Sequence, residues 1–121
     1  MADTTLGDVV RDGRTAKDMK LRELARRLEV TPSYVSDIEN DRRVPSEDVL
    51  ARIAGELDLD LEDLVARSGR LGSSAERYMR DTPAATTLFR RISAERLDEG
   101  EIQQLLRRVE QLRSDPKDRD E

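Results

Sequence analysis

The side chains that could do chemistry in this sequence are charged, and neither thiols nor imidazoles are among them. The 121 residues contain no Cys and no His, which excludes thiolate nucleophiles, disulfides, thiolate or imidazole metal sites and the commonest general base. The carboxylates Asp58, Asp60, Glu62 and Asp63 coincide with a predicted helix start, where capping explains them. They also lack the central Gly and terminal Glu of a calcium-binding loop. We therefore predict no enzyme, no metal site and no cofactor.

Within residues 1–66 the basic side chains lie mainly in the earlier part, where they could bind phosphate. Residues 11–43 hold nine basic and seven acidic side chains, a balance of +2, whereas residues 44–66 hold one basic and seven acidic, a balance of −6. The whole chain has a formal charge of −5, which is unusual for a protein that binds nucleic acid. The distribution predicts a polarised domain whose positive side faces phosphate and whose non-specific binding is weak.

The elements that must position these cations lie between positions 21 and 43. Apolar residues recur at helical spacing from 24 to 28, the pattern breaks at 29–32, and it restarts at Val35 and Ile38. Thr31 is a preferred N-cap, and Pro32 is favoured at the first position of a helix. Two short amphipathic helices this close can face one core only by crossing steeply. The stretch is therefore predicted to be a helix-turn-helix whose second helix enters a DNA groove.

Three further helices are predicted around this pair. The first spans Leu6 to Met19, the fourth follows a cap at Ser46, and the fifth begins at Asp60. A hydrophobic fraction of 36% with only 2% aromatic residues implies a small aliphatic core, which suits short packed helices. We predict an all-α fold in which a five-helix domain, residues 1–66, precedes a C-terminal helical hairpin.

The C-terminal part of the chain carries a separate helical pattern. Residues 67–74, rich in Gly and Ser, are predicted to be a linker, residues 75–113 a helical hairpin, and the charged residues 114–121 a disordered tail. The hairpin has an apolar stripe with heptad-like spacing, which we predict to be a homodimer interface. The apolar stripe consists of Leu88, Phe89, Ile92, Ile102, Leu105, Leu106, Val109 and Leu112. A hairpin folded back on the first domain of its own chain is the alternative.

The segment from about Leu6 to Val65 resembles the helix-turn-helix domain of the lambda-repressor-like superfamily, the Cro, phage-repressor or Xre type. The matching stretches are LRELARRL in the second helix, VTPSYVSDIEN in the turn and recognition helix, VPS before the fourth helix, and LDLEDL in the fifth. Together they cover about half of the chain. The resemblance implies a five-helix domain whose third helix lies in the major groove, usually as a dimer on a two-fold operator.

The resemblance also implies roles for individual positions. The residues expected to read base edges are Pro32, Ser33, Tyr34, Ser36 and Asp37. The residues expected to bind phosphate are Lys20, Arg22, Asn40, Arg42 and Arg43. For Arg22, and for Arg26 beside it, a solvated helix face that pairs with acidic neighbours is the alternative. Arg14 and Glu39 occupy positions that form a structural ion pair in some members of the family. Asp18 and Asp41 stand where Gly is common.

Two classes of function are compatible with these features. The first is a sequence-specific transcriptional regulator, a dimeric repressor that places two recognition helices about 34 Å apart on a palindrome of double-stranded DNA. The second is an antitoxin or another regulator whose main partner is a protein, such as a toxin, an antagonist or a peptidase, bound through the C-terminal helices. No apolar run approaches the roughly 20 residues that span a bilayer. We therefore expect a cytoplasmic protein with no membrane partner.

Overall fold

The computed structural model describes residues 4–114, which fold into eight α-helices without any strand. In chain order the helices are α1 (Leu6–Ala16), α2 (Leu21–Leu28), α3 (Pro32–Glu39), α4 (Glu47–Leu57), α5 (Leu61–Ser68), α6 (Ser73–Asp81), α7 (Pro83–Glu95) and α8 (Glu99–Ser114). The predicted all-α fold is confirmed. Ser114, which the sequence pattern assigns to the tail, is the last residue of α8, and the rest of that tail, 115–121, lies outside the described residues.

The first five helices enclose one aliphatic core. α2 packs on α3, and α1 contacts α3, α4 and α5. Burying an aliphatic side chain of this size contributes about 1.5–3 kcal/mol, so the core fixes the angle between α2 and α3. Each helix supplies at least one fully buried side chain, and the largest of these belong to Val10, Leu24, Leu28, Val35, Ile38, Leu50, Ile53 and Leu64.

The turn between α2 and α3 is built from features that the local sequence encodes. Glu29 ends α2 in the left-handed region, with φ of 59°. The Thr31 hydroxyl accepts a hydrogen bond from the Tyr34 backbone N–H at 3.1 Å, and Pro32 begins α3. A hydroxyl N-cap followed by Pro satisfies one N–H and removes the need to satisfy another. The predicted start of the third helix is confirmed.

α1 is shorter than predicted and lies very close to α3. It ends at Ala16 instead of Met19, because Lys17 caps it and Asp18 turns the chain with φ of 56°. A Cβ atom on Gly7 would lie 2.5 Å from the carbonyl oxygen of Glu39, a distance that no side chain tolerates. Glycine at position 7 therefore permits the close approach of α1 to the end of α3.

The described chain divides into two compact units that meet between Ala75 and Glu76, inside α6. The predicted linker, 67–74, is shorter in the structure, because α5 continues to Ser68 and α6 begins at Ser73. After Leu64 the described chain contains no buried residue, so α6, α7 and α8 form no hydrophobic core by themselves. Among residues 4–114 no helix has the length and apolar character needed to cross a membrane.

Candidate nucleic-acid interface

α3 turns its apolar residues to the core and its polar residues to solvent. Its buried residues are Val35, Ile38 and Glu39. The residues predicted to read bases define the outer face of α3, in which Pro32 and Ser33 are exposed and Tyr34, Ser36 and Asp37 are half-buried. Helical spacing of three and four residues places Ser33, Ser36 and Asp37 on one side. Hydroxyl groups in this arrangement can bond base edges or phosphate, and a carboxylate can accept a hydrogen bond from cytosine N4.

Asn40, which caps the C-terminus of α3, is bonded on both sides of its amide. Its Nδ2 donates to the Ser36 carbonyl oxygen at 2.9 Å and to the Ser36 Oγ at 3.3 Å. Its Oδ1 accepts a hydrogen bond from Arg11 Nη2 at 3.2 Å. These bonds hold Asn40 against the helix, so any phosphate contact by its amide competes with bonds inside the protein.

Four exposed cations, here called the flanking cations, lie at the start of α2 and just after α3. Lys20 is the N-cap residue of α2 but makes no capping bond with its side chain, and Arg22 lies in the first turn. Arg42 and Arg43 follow α3 in the loop to α4. Within residues 4–114 none of the four forms a salt bridge. Their charge is therefore free to meet phosphate.

Arg43 is held beside the first turn of α3 by an aromatic ring. Its guanidinium carbon lies 4.8 Å from the centre of the Tyr34 ring, within the range of a cation–π interaction. An exposed contact of this kind contributes about 0.5–1 kcal/mol. The contact connects the loop after α3 with the outer face of the same helix.

Arg26 and Arg27 differ from the flanking cations because they pair with carboxylates. Arg27 lies 2.9 Å from Glu23 and 3.2 Å from Glu56, and these hydrogen bonds, the one to Glu23 first, raise the pKa of Arg27 above its ordinary value. Arg26 lies 3.9 Å from Glu23. Arg26 therefore fits the alternative interpretation, a helix face that pairs with acidic neighbours. Arg22 has no such neighbour among the described salt bridges.

A buried ion pair supports the end of α3. Arg14 Nε donates to Glu39 Oε2 at 2.7 Å and Arg14 Nη2 donates to Glu39 Oε1 at 3.0 Å, while Glu39 is only 3% exposed. The hydrogen bonds to Glu39 raise the pKa of Arg14, and burial opposes that shift in part. Arg14 also donates to the Met19 carbonyl oxygen at 2.9 Å. The pair that the resemblance implies thus ties α1, the α1–α2 turn and α3 together.

Two supporting residues were not predicted from the sequence. Arg11 Nη2 donates to the Glu39 backbone carbonyl oxygen at 2.9 Å, and its Nε lies 3.7 Å from Glu39 Oε1, so Arg11 is a second cation beside the buried carboxylate. Asp41 has φ of 58°, and its carboxylate accepts hydrogen bonds from the Gly7 N–H at 3.0 Å and the Thr5 hydroxyl at 2.7 Å. For Arg11 the sequence holds a signal, because its helical spacing from Arg14 places both side chains on the same face of α1. Nothing local indicates the second, since Asp41 and Gly7 are far apart in the chain.

The apolar stripe of the second unit is open to solvent. Leu88, Phe89, Leu106 and Val109 are 53%, 48%, 50% and 58% exposed. Leu105 and Leu112 are also exposed, and Ile92 and Ile102 are half-buried. α8 itself is well capped, because Asp98 and Glu101 exchange hydrogen bonds at 2.8 and 2.9 Å. The helix is therefore well defined, but its apolar side faces no partner in the described chain.

Parts of this chain are similar to known proteins. A family model described as helix-turn-helix matches residues 10–64. The transcriptional regulator ClgR of Mycobacterium tuberculosis is 35% identical over 79 residues, which are 65% of this chain and 70% of that protein. The ImmF control region 10 kDa protein of Bacillus phage phi105 is 44% identical over 59 residues, 49% of this chain and 66% of the phage protein. The crystal structure of the clp gene regulator ClgR from C. glutamicum, 32% identical, covers 55% of this chain and 85% of its own, with a TM-score of 0.48.

Proposed function

Because the chain belongs to the lambda-repressor-like, Xre-type family of helix-turn-helix transcriptional regulators, we propose that it is a repressor that binds a two-fold DNA operator as a homodimer. The observation that carries the proposal is the solvent-facing outer face of α3 beside four cations that form no salt bridge within residues 4–114. A helix placed in the major groove needs both a polar face for base edges and cations for the phosphates beside it.

The outer face of α3 reads bases with few hydrogen-bond donors. Ser33 and Ser36 bond base edges through their hydroxyls, and Asp37 accepts a hydrogen bond from cytosine N4. Pro32 has no backbone N–H and contributes an apolar contact, such as one to a thymine methyl group. Tyr34 supports Arg43 and lies within reach of sugar or phosphate. Asp37 also repels phosphate, so it acts partly by rejecting sites without a cytosine at that position.

The flanking cations and Asn40 bind phosphate and fix the position of α3 in the groove. Lys20 and Arg22 bind on the α2 side, and Asn40, Arg42 and Arg43 bind on the side where α3 ends. Asn40 then exchanges its bonds within α3 for a phosphate oxygen. Contacts of this kind contribute affinity and salt dependence without sequence preference.

The apolar stripe pairs with the stripe of a second copy. α7 and α8 have 13 and 16 residues, lengths at which an isolated helix is marginally stable in water. Since neither helix has a buried residue in the described chain, their stability requires apolar surface from elsewhere. A second copy supplies a matching stripe and also provides the two recognition helices that a palindrome requires.

The proposal predicts that Arg42→Ala/Arg43→Ala abolishes most of the DNA binding. The DNA probe is a duplex selected in vitro for binding to the unchanged chain. We expect the affinity of the variant for this duplex to fall at least tenfold at about 100 mM salt, because two charged contacts to phosphate are lost. The measurement is fluorescence anisotropy or electrophoretic shift. The matched control is Arg90→Ala/Arg91→Ala, which removes the same charge from exposed positions on α7. Equal losses in the two variants, or no shift with the unchanged chain, would contradict the proposal.

A second candidate function uses the same helices for a different partner. In that case the apolar stripe binds another protein, such as a toxin that the chain neutralises, an antagonist or a peptidase. The observation that favours this candidate is the exposure of the stripe in the described chain. The two candidates differ in what covers the apolar stripe. In the repressor it is a second copy of this chain, and in the alternative it is another protein.

A further inference from the structure

Arg70 lies between α5 and α6 but is bonded to the loop between α3 and α4. Its Nε donates to the Pro45 carbonyl oxygen at 2.8 Å, and its Nη2 donates to the Val44 carbonyl oxygen at 2.9 Å. The two carbonyls are consecutive in the chain, so one guanidinium holds the backbone at two points. Bonds from a charged donor are stronger than neutral ones, and the planar fork of arginine fixes their direction.

The segment that carries Arg70 is itself ordered by local bonds. The Ser68 hydroxyl donates to the Val65 carbonyl oxygen at 2.6 Å and accepts from the Arg70 N–H at 3.1 Å. Gly69 ends α5 with φ of 75°. A Cβ on Gly72 would lie 2.9 Å from Glu47 Oε1, so the segment also passes close to the first turn of α4. The residues predicted to be a flexible linker therefore present Arg70 from a defined backbone.

Arg42 and Arg43 lie between two anchors of the α3–α4 loop. On one side, the Asp41 carboxylate binds the Gly7 N–H and the Thr5 hydroxyl of α1 and its cap. On the other side, Arg70 binds the carbonyl groups of Val44 and Pro45. Two residues held at both ends have few backbone conformations open to them. A loop fixed before binding loses less conformational entropy when it meets phosphate.

We propose that Arg70 is a positioning residue, which holds the loop so that Arg42 and Arg43 meet the phosphates of bound DNA. This inference rests on the phosphate-binding role proposed above for those two arginines. Arg70 acts through the loop and not by contact with DNA, because its guanidinium is turned toward backbone carbonyl groups. The start of α6, at Ser73, lies only three residues beyond Arg70 in the chain.

The test is a double-mutant cycle on DNA binding by the full chain. The probe is a duplex selected in vitro for binding to the unchanged chain. It has about 30 base pairs, which is long enough for two half-sites one helical turn apart. We expect Arg70→Ala to weaken binding about tenfold and to lower the slope of log affinity against log salt by about one to two, because each phosphate contact contributes about 0.9 to that slope. In the Arg42→Ala/Arg43→Ala background, Arg70→Ala should have no further effect.

Two variants separate positioning from charge and from folding. Arg70→Lys keeps the charge and at most one of the two bonds, so it should recover only part of the affinity. Arg67→Ala removes a neighbouring cation that bonds Asp63 and the Thr4 carbonyl oxygen instead of the loop. It should leave the salt slope unchanged. Full recovery by Arg70→Lys, or an Arg70→Ala effect of equal size with and without Arg42 and Arg43, would overturn the inference.

Hydrogen exchange without DNA tests the positioning itself. Arg70→Ala should speed exchange of the Arg42 backbone N–H, which donates to the Asp37 carbonyl oxygen at 2.8 Å, at least tenfold, while exchange in the buried parts of α2 and α4 stays unchanged. Unchanged exchange in the loop would overturn the inference even if the chain binds DNA. Faster exchange in the loop, combined with no effect of Arg42→Ala/Arg43→Ala on DNA binding, would instead contradict the proposed function and leave the anchoring by Arg70 supported.

Discussion

Glu39 carries a charge into the interior of the first unit, and two arginines compensate for it. Arg14 binds its carboxylate through two hydrogen bonds, and Arg11 Nε lies 3.7 Å from Oε1. Removing two ions from water costs several kcal/mol each, so a buried pair of this kind adds little net stability. Its role is geometric, because it joins α1 to the end of α3. Removing one partner alone, however, leaves the other partner's charge uncompensated.

Glu39→Gln should therefore destabilise the chain strongly. We expect the free energy of unfolding to fall by about 3 kcal/mol, since Arg14 then loses its counter-ion in a partly buried position. Urea denaturation followed by circular dichroism measures this change. The matched control is Glu23→Gln, which breaks the exposed pair with Arg27 and should cost less than about 1 kcal/mol. Losses of equal size in the two variants would mean that the Glu39 pair behaves like a surface pair.

At the scale of elements, the distance between α1 and α3 depends on one missing side chain. Gly7 and Gly55 both lie inside helices of the first unit, but their surroundings differ. A Cβ at position 7 would meet backbone carbonyl atoms of Ile38 and Glu39 at 2.7 and 2.5 Å, whereas a Cβ at position 55 meets nothing within 4 Å. The two glycines therefore separate the effect of packing from that of helix propensity.

Gly7→Ala should destabilise the chain, and Gly55→Ala should stabilise it. The clash at position 7 is with backbone that cannot rotate away, so we expect a loss of at least about 1–3 kcal/mol and weaker DNA binding through a displaced α3. At position 55 the gain should be about 0.5–1 kcal/mol, because Ala favours a helix over Gly. Thermal unfolding of both variants checks the signs. A stabilised Gly7→Ala chain would show that α1 does not pack against α3 as closely as described.

The elements that could be predicted from the sequence are those with local causes. Thr31 followed by Pro32, and Ser46 followed by acidic residues, encode helix starts within a few residues, and both helices begin there. Asp41 and Arg70 could not be predicted, because their partners lie 34 and 25 residues away and their own neighbours give no sign of the contact. The predicted end of α1 was also wrong, since Asp18 turns the chain in the left-handed region, where Gly is more common. The fold followed from periodicity, whereas the bonds that support the loop between α3 and α4 required the structure.

At the scale of the whole molecule, we expect the charge distribution to make DNA binding by a single copy weak. The chain has a formal charge of −5, and within residues 1–66 the positive balance is confined to residues 11–43. In the proposed function the outer face of α3 offers few donors to bases, so we expect affinity to come from phosphate contacts and from the number of recognition helices bound at once. Joining two copies makes the second binding event intramolecular, which can raise affinity 10²- to 10⁴-fold without any new contact to DNA.

Disrupting the apolar stripe should therefore abolish tight DNA binding without changing the DNA-binding unit. We expect Leu106→Gln/Val109→Gln to be monomeric by sedimentation at tens of micromolar and to bind the selected duplex about a hundredfold more weakly at low protein concentration. Gln104→Ala/Gln111→Ala, on exposed polar positions of α8, is the matched control and should remain dimeric. If the unchanged chain sediments as a monomer under these conditions with α7 and α8 still helical, a second copy does not cover the stripe. The second candidate, a different protein on the same helices, would then be favoured, because the exposed leucines would still lack a partner.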